Sequence, residues 1–246
     1  MATAIFWGAF ATASLLVGMW LAYRDLISLK WTGLVMAFGA GAIVSAVAYQ
    51  LVLPATKAGA GHELAVAGAV AIGALTFYLA DRWVDGMGGE KRLDFDGGQA
   101  AGSPLGILLG SLLDGVPESL VLGLSVAHAP QVSLAFVFAV AISNVPQGLG
   151  GTAGMLAAGW ERSRITRLWL AVCGLSVLAA AIGYWIGGID PTATGALFDA
   201  FAAGALLVML TDSMIPESFQ HGGREAGLAL TLGYGAAFVV AVLQAT

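Results

Sequence analysis

Charged residues are scarce in this chain, at 10% of its 246 positions, whereas soluble domains usually carry about 25%. Hydrophobic residues make up 59% of the chain, and its mean hydropathy is +0.87. A soluble globular domain is therefore excluded. We predict an integral membrane protein that lies in a lipid bilayer, and we expect no nucleic-acid partner.

Cysteine and histidine are also rare. The single cysteine, Cys173, lies in an apolar stretch, so a disulfide framework and a cysteine metal site are both excluded. The three histidines, His62, His128 and His221, fall in or near predicted loops, which excludes a histidine-bound zinc within the membrane. Period-2 alternation is missing, while apolar runs of about 20 residues recur, and this favours helices over a β-barrel.

The apolar runs predict an all-α polytopic membrane protein with eight spans in a single transmembrane domain, residues 1–246. The first run lacks the basic n-region of a signal peptide and is too long for its apolar core, so we count it as a span. The longest connection, about 81–103, is rich in Gly and Asp. We interpret it as a solvated linker, with a weak metal-collecting loop as the alternative. The predicted spans are 4–23, 31–53, 64–80, 104–127, 131–158, 166–188, 194–216 and 226–244.

The basic residues are distributed unevenly between the two sides of the predicted bundle. Of the ten lysines and arginines, only Lys57 falls in a connection on one side. Basic residues favour cytoplasmic loops. We therefore expect the loop 81–103 in the cytoplasm and both termini outside it, in a cell inner (plasma) membrane. The other nine basic residues are Arg24, Lys30, Arg82, Lys91, Arg92, Arg162, Arg164, Arg167 and Arg224.

A polar insert built around a proline occurs twice at membrane depth. Residues 113–120 read Leu-Asp-Gly-Val-Pro-Glu-Ser-Leu, and residues 142–149 read Ile-Ser-Asn-Val-Pro-Gln-Gly-Leu. A charged side chain at the centre of a bilayer costs about 3 kcal/mol. The two carboxylates of the first insert therefore require a function, which is usually an ion or substrate path inside a bundle.

The side chains of the two inserts could form one cation site. Asp114 and Glu118 are four residues apart and share a helix face, as do Ser143 and Gln147, and Asn144 lies on an overlapping face. Each proline also frees the backbone carbonyl four residues earlier. Facing each other, the inserts would form an all-oxygen cage with two negative charges, which suits a divalent cation. The alternative for Ser143, Asn144 and Gln147 is that they only join helices.

Spans 7 and 2 each end in a further copy of the proline insert. Residues 211–218 read Thr-Asp-Ser-Met-Ile-Pro-Glu-Ser, and residues 49–55 read Tyr-Gln-Leu-Val-Leu-Pro-Ala. These spans occupy mirrored positions, as expected for an inverted repeat that relates spans 1–3 to spans 6–8. Asp212 is thereby a sixth candidate metal ligand, although its place near the end of span 7 is equally compatible with the membrane interface.

At these residues the chain resembles the Zrt/Irt-like (ZIP) family of metal transporters. Residues 114–119 resemble the His-Asn-x-Pro-Glu-Gly motif of span 4 in that family, and residues 143–148 are similar to the span-5 motif of its prokaryotic branch. Residues 212–222 and 37–54 also resemble that branch. The resemblance implies a 3+2+3 arrangement of eight helices around a two-metal transport site. It assigns Asp114, Glu118, Ser143 and Gln147 to the first metal, and Asn144 to the second or to a position between them.

The chain departs from the family pattern at several ligands. Asp114 stands where the family has histidine, Gly115 where it has asparagine, and Gln147 where it has an acid in span 5. No acid occurs between Glu161 and Asp190, so the span-6 glutamate that is usual in the family is absent. We therefore expect the second metal site to be lost.

The resemblance implies transport of zinc, iron or manganese toward the cytoplasm. It also implies alternating access, with spans 1, 4, 5 and 6 sliding against spans 2, 3, 7 and 8. The ion would be a substrate, with no resident cofactor. Oxygen ligands by themselves favour a harder ion such as Mn²⁺. The oligomeric state is open, with a homodimer as one option.

Three alternatives stay open. A transporter of another solute could use Asp114 and Glu118 as proton carriers, and a non-transporting, metal-sensing relative would explain the lost ligands. An intramembrane aspartyl protease would need two aspartates from different spans, which Asp114 and Asp212 could supply. Neither lies in a Gly-x-Gly-Asp setting, so we expect no enzyme.

The charge bias yields a topology prediction. A cysteine introduced as Gly88→Cys, in a Cys173→Ser background, should resist impermeant thiol reagents in intact cells because the loop 81–103 faces the cytoplasm. Ready labelling from outside the cell would refute this orientation.

Overall fold

A computed structural model describes residues 1–58, 61–94, 103–128, 132–188 and 193–245. Within these ranges eight helices are long and apolar enough to cross a membrane, and no strand occurs. The predicted all-α, eight-span fold is thereby confirmed. The helices are α1 (Ala2–Arg24), α2 (Leu29–Ala58), α3 (Glu63–Asp85), α4 (Pro104–His128), α5 (Leu134–Ala157), α6 (Arg162–Gly187), α7 (Gly195–Gly222) and α8 (Glu225–Ala245).

The helices pack as four principal pairs that form two groups. In the first group α1 packs against α5 and α4 against α6; in the second α2 packs against α8 and α3 against α7. The largest contact between the groups joins α2 to α5. If helices 1–3 are exchanged with helices 6–8, and α4 with α5, the pair α1–α5 becomes α6–α4 and the pair α2–α8 becomes α7–α3. This pairing matches the inverted relation predicted from the proline inserts.

Glycine explains how close each pair lies. In every principal pair, both helices carry a glycine at which an added Cβ would collide with a backbone carbonyl of the partner helix. Apolar side chains gain little by leaving lipid, so close backbone packing is what holds such pairs together. The glycines are Gly18 and Gly148 for α1 and α5, Gly123 and Gly183 for α4 and α6, Gly41 and Gly233 for α2 and α8, and Gly73 and Gly204 for α3 and α7.

Helices α2 and α7 each contain one π-helical turn, Val47–Val52 and Leu210–Met214. Each turn shortly precedes a proline, Pro54 or Pro216. Proline cannot donate to the carbonyl four residues earlier, and a π turn is one way in which a helix accommodates that loss. The two turns lie near opposite ends of the bundle because α2 and α7 run in opposite directions.

The four connections that carry nine of the ten basic residues meet at one end of the bundle, which we call the basic end. Lys30 Nζ lies 2.9 Å from Glu225 Oε1 there and ties α2 to α8. The Tyr23 hydroxyl donates to the Arg162 carbonyl at 2.9 Å and ties α1 to α6. These contacts close the periphery of the basic end.

The connection between α3 and α4 differs from the predicted solvated linker. Helix α3 continues to Asp85 and so takes in Asp81, and a 3₁₀ turn, Gly89–Leu93, follows. Arg92 in this turn is only 5% exposed. Two acids interrupt the apolar pattern after residue 80, so the sequence alone ended the span too early. The remainder of the predicted loop, residues 95–102, lies outside the described residues.

The glycine pairing yields a stability prediction. Gly41→Ala would drive a Cβ into the Leu230 carbonyl of α8, and overpacking of this kind costs about 1–3 kcal/mol. We expect a clearly lower melting temperature in detergent. Gly235→Ala is the matched control, since nothing lies within 4 Å of its added Cβ and alanine favours helix. Equal melting temperatures for the two variants would contradict the packing role of Gly41.

Candidate metal site

Helix α4 places Asp114 and Glu118 inside the bundle. Both side chains are buried, Glu118 completely, and they lie one helical turn apart on one face. The helix continues through Pro117, so the insert remains part of a regular span. Two acids are therefore held one turn apart in the dry interior, where ionised groups need compensation.

Glu118 lacks that compensation. The Ser143 hydroxyl on α5 lies 3.4 Å from Glu118 Oε1 and also donates to the Val140 carbonyl at 2.9 Å. Within the described part of the chain, Glu118 Oε2 has no hydrogen-bond partner. A buried carboxylate oxygen without a donor or a cation is rare in native structures and requires an explanation. A bound cation would supply one.

Asp114 is compensated by Arg92. The Arg92 side chain reaches from the 3₁₀ turn and donates through Nε to Asp114 Oδ2 at 2.8 Å and through Nη2 to Asp114 Oδ1 at 3.2 Å. Such a two-point contact is the strongest form of guanidinium–carboxylate pairing. Burial alone would lower the pKa of Arg92, but the charge of Asp114, followed by those of Asp81 and Asp85, raises it above its ordinary value. The guanidinium therefore stays charged.

Two acids of α3 complete the environment of Arg92. Its Nη2 also lies 3.1 Å from Asp81 Oδ1, and its Nη1 lies 3.6 Å from Asp85 Oδ1. One carboxylate oxygen from each of Asp81, Asp85 and Asp212 lies within 4.8 Å of the other two. Asp212 thus belongs to a carboxylate group at the basic end.

The π turn of α7 supplies three consecutive residues to this region. Asp212 faces Asp81 and Asp85, the Ser213 hydroxyl lies 3.4 Å from Asp114 Oδ1, and Met214 Sδ lies 3.6 Å from Gln147 Nε2. A π turn spreads successive side chains differently from an α turn, and such turns are frequent at functional sites.

The remaining predicted ligands on α5 point in different directions. Gln147 contacts α7 through Met214, whereas the Asn144 side-chain amide donates to the Ala11 carbonyl of α1 at 3.1 Å. In this conformation Asn144 joins α5 to α1, and its Oδ1 has no partner among the described residues.

The structure therefore brings three of the six predicted side chains together and divides the rest. Ser143 contacts Glu118, and Asp114 lies one turn from Glu118 on the same face of α4. Gln147, Asn144 and Asp212 face α7, α1 and α3 respectively. Sequence reasoning missed Arg92, Asp81 and Asp85. No local signal pointed to them, since Asp81 and Asp85 follow the apolar run of the predicted span 3, and the composition around Arg92 indicates a solvated connection.

A separate cavity with several polar side chains in its lining opens at the end of the bundle opposite the basic end. It has a volume of about 520 Å³, and Gln50, Lys57, Ser125 and His128 are among its lining residues. His128 is the last residue of α4, and its Nδ1 lies 3.3 Å from Asp199 Oδ2 of α7. Ser125 stands two helical turns beyond Glu118 on α4, so this cavity lies on the side of Glu118 away from Arg92.

No protein-family model matches the chain. A search of known proteins finds a relative from Myxococcus xanthus that is described as "Zinc transporter GufA". It is 31% identical over 207 residues, which cover 78% of this chain and 79% of that protein.

The contrast between the two acids of α4 yields opposite stability predictions. Without metal, Glu118→Gln should raise the melting temperature because it removes a buried carboxyl group whose Oε2 has no partner within the described ranges and which lies one turn from the charge of Asp114, a common trade-off at functional sites. Asp114→Asn should lower it, since breaking a buried ion pair costs about 3–5 kcal/mol. Thermal melting in detergent, with chelator present, measures both. Destabilisation by Glu118→Gln would show that Glu118 is a structural residue.

Proposed function

The chain belongs to the Zrt/Irt-like (ZIP) family of metal transporters, and on that premise we propose that it carries divalent metal cations across the membrane through a site around Glu118. Zinc, manganese and iron are the proposed substrates, and the proposed direction is toward the cytoplasm. The relative from Myxococcus xanthus is described as a zinc transporter, which supports zinc as one of these substrates.

The observation that carries this proposal is the unpartnered oxygen of Glu118. A carboxylate in a dry interior is stable only with a counter-charge and saturated hydrogen bonds, yet Glu118 is fully buried and has one weak donor, Ser143. A divalent ion at Glu118 would neutralise it and accept a ligand from the serine hydroxyl. Asp114, one turn away, would add a second negative charge.

The other predicted ligands take positions along the path in this proposal. Gln147 lies one helical turn from Ser143 on α5 and could reach the ion after leaving Met214. Asn144 could then bind the ion through its unpartnered Oδ1. Asp212, with Asp81 and Asp85, forms an acidic group nearer the basic end, where an ion would leave.

The ligand set bears on ion preference. The six predicted ligands offer carboxylate, hydroxyl and amide oxygens, and none of them is a nitrogen or sulfur donor of the kind that selects zinc over manganese. We therefore propose that the protein discriminates weakly among Zn²⁺, Mn²⁺ and Fe²⁺. The family resemblance favours zinc, and the chemistry of the ligands favours the harder ions.

The proposed direction of transport rests on the family resemblance, and the charge bias supports the proposed orientation of the bundle. With the basic end in the cytoplasm, the cavity lined by His128 opens outside, and both termini lie outside an inner (plasma) membrane. The division into two helix groups supports alternating access, in which α1, α4, α5 and α6 move against α2, α3, α7 and α8. In this conformation the basic end is covered by the turn Gly89–Leu93.

Uptake by reconstituted vesicles tests the proposal. Vesicles that contain the protein should accumulate Zn²⁺, Mn²⁺ or Fe²⁺, and Glu118→Gln should reduce the rate at least about a hundredfold, since it removes a charge that the ion needs in a low dielectric. Glu63→Gln is the matched control, because Glu63 is exposed at the start of α3.

Two outcomes would contradict the proposal. Metal uptake by Glu118→Gln at the wild-type rate would place the site elsewhere. Proton movement without metal uptake, recorded with a pH-sensitive dye in the same vesicles, would favour the proton-carrier alternative.

A further inference from the structure

Arg92 is paired with Asp114, an acid that the proposed function assigns to the metal. Both oxygens of Asp114 already accept hydrogen bonds from the guanidinium, at 2.8 and 3.2 Å. A divalent ion that binds these oxygens has to compete with the guanidinium for their lone pairs and is repelled by its charge. An arginine cannot lose its proton in a protein, so this repulsion is relieved only when the side chain moves away.

The charges around Arg92 explain why it is held there without an ion. Asp81, Asp85, Asp114 and Glu118 bring four carboxylates into one region, and Arg92 is the basic side chain that the structure places among them. Removing it without replacement would leave several buried charges uncompensated, which is strongly destabilising. A divalent ion at Glu118 and Asp114 supplies two positive charges and repels the guanidinium. The ion can therefore replace Arg92 electrostatically.

The turn that carries Arg92 also covers the site from the basic end. Glycines on the neighbouring helices leave room for it: a Cβ at Gly110 of α4 would lie 2.6 Å from Arg92 Cδ, and one at Gly151 of α5 would lie 3.1 Å from the Arg92 carbonyl oxygen. The turn Gly89–Leu93 thus sits tightly on α4 and α5. Displacement of the Arg92 side chain removes the contact that anchors this cover.

Arg92 joins the two helix groups as well. Asp114 belongs to α4 in the first group, while Asp81 and Asp85 belong to α3 in the second. One side chain therefore bridges, at the basic end, the helices that the proposed transport cycle moves apart.

We propose that Arg92 is a tethered cation that occupies Asp114 when metal is absent, and that an arriving divalent ion displaces it and so opens the basic end. This inference rests on the proposed function and adds a residue that controls both affinity and exit. The guanidinium competes with the ion, so the metal-free protein stays closed and weakly binding. Metal release restores the arginine and closes the bundle again.

Metal affinity of the purified full-length protein tests the competition. Arg92→Gln removes the competing charge and should bind Mn²⁺ at least about tenfold more tightly than wild type, measured by calorimetry in detergent. Arg92→Lys keeps the charge and should bind nearly as weakly as wild type. Arg82→Gln is the matched control, since Arg82 is exposed near the same end of α3. It should not change the affinity.

Folded Arg92→Gln protein that binds Mn²⁺ no more tightly than wild type would overturn the inference. The proposed site itself fails in a different way: wild type would bind no ion, or Glu118→Gln would bind as tightly as wild type. The two failures are therefore distinguishable in one set of titrations.

Hydrogen exchange on the wild-type protein provides a test that does not depend on a variant's folding. Peptides that cover residues 86–94 should exchange faster with saturating Mn²⁺ than with chelator, because the displaced turn loses its anchor. The same peptides in Glu118→Gln should not respond to the ion. Unchanged or slower exchange in wild type with the ion bound would overturn the inference.

Discussion

The buried contact between Arg92 and Asp114 determines how the basic end of this bundle is built. Ionised groups are stable in a low-dielectric interior only when they are paired and hydrogen-bonded, and α3 and α4 bring four carboxylates into one region. Arg92 pairs with three of them, and Glu118 is left without a counter-charge. The closed end and the unsatisfied site at Glu118 thus have the same electrostatic origin.

The helix packing divides the bundle into the two groups that the proposed transport cycle requires. Each principal helix pair is fixed by glycines from both partners, so each pair can move as one body. The groups made by these pairs meet mainly through α2 and α5, and at the basic end Arg92 links α4 to α3. Tight glycine packing within each pair, with Arg92 as a polar link between the groups at the basic end, suits the proposed alternating access.

Sequence reasoning found the acid pair because the physics involved is local. Two carboxylates four residues apart in an apolar run are visible without any tertiary information, and their positions on α4 agree with the structure. The contacts of Asn144 with Ala11 and of Asp212 with Asp81 and Asp85 could not be predicted in this way. They depend on which helix each face of α5 and α7 meets.

The sequence by itself determined the membrane class, the eight spans and the Asp114–Glu118 pair, because hydropathy and helical periodicity depend only on neighbouring residues. Tertiary structure alone decided that Arg92 neutralises Asp114 and that Glu118 has no counter-charge among the residues that the structure describes. The segment with Arg92 follows two acids and precedes an apolar span, so its composition indicates a solvated connection. It is buried because Gly110 and Gly151, distant in sequence, leave room for it and because Asp114 attracts its charge. Such a contact has no periodicity, and only the folded chain brings its members together.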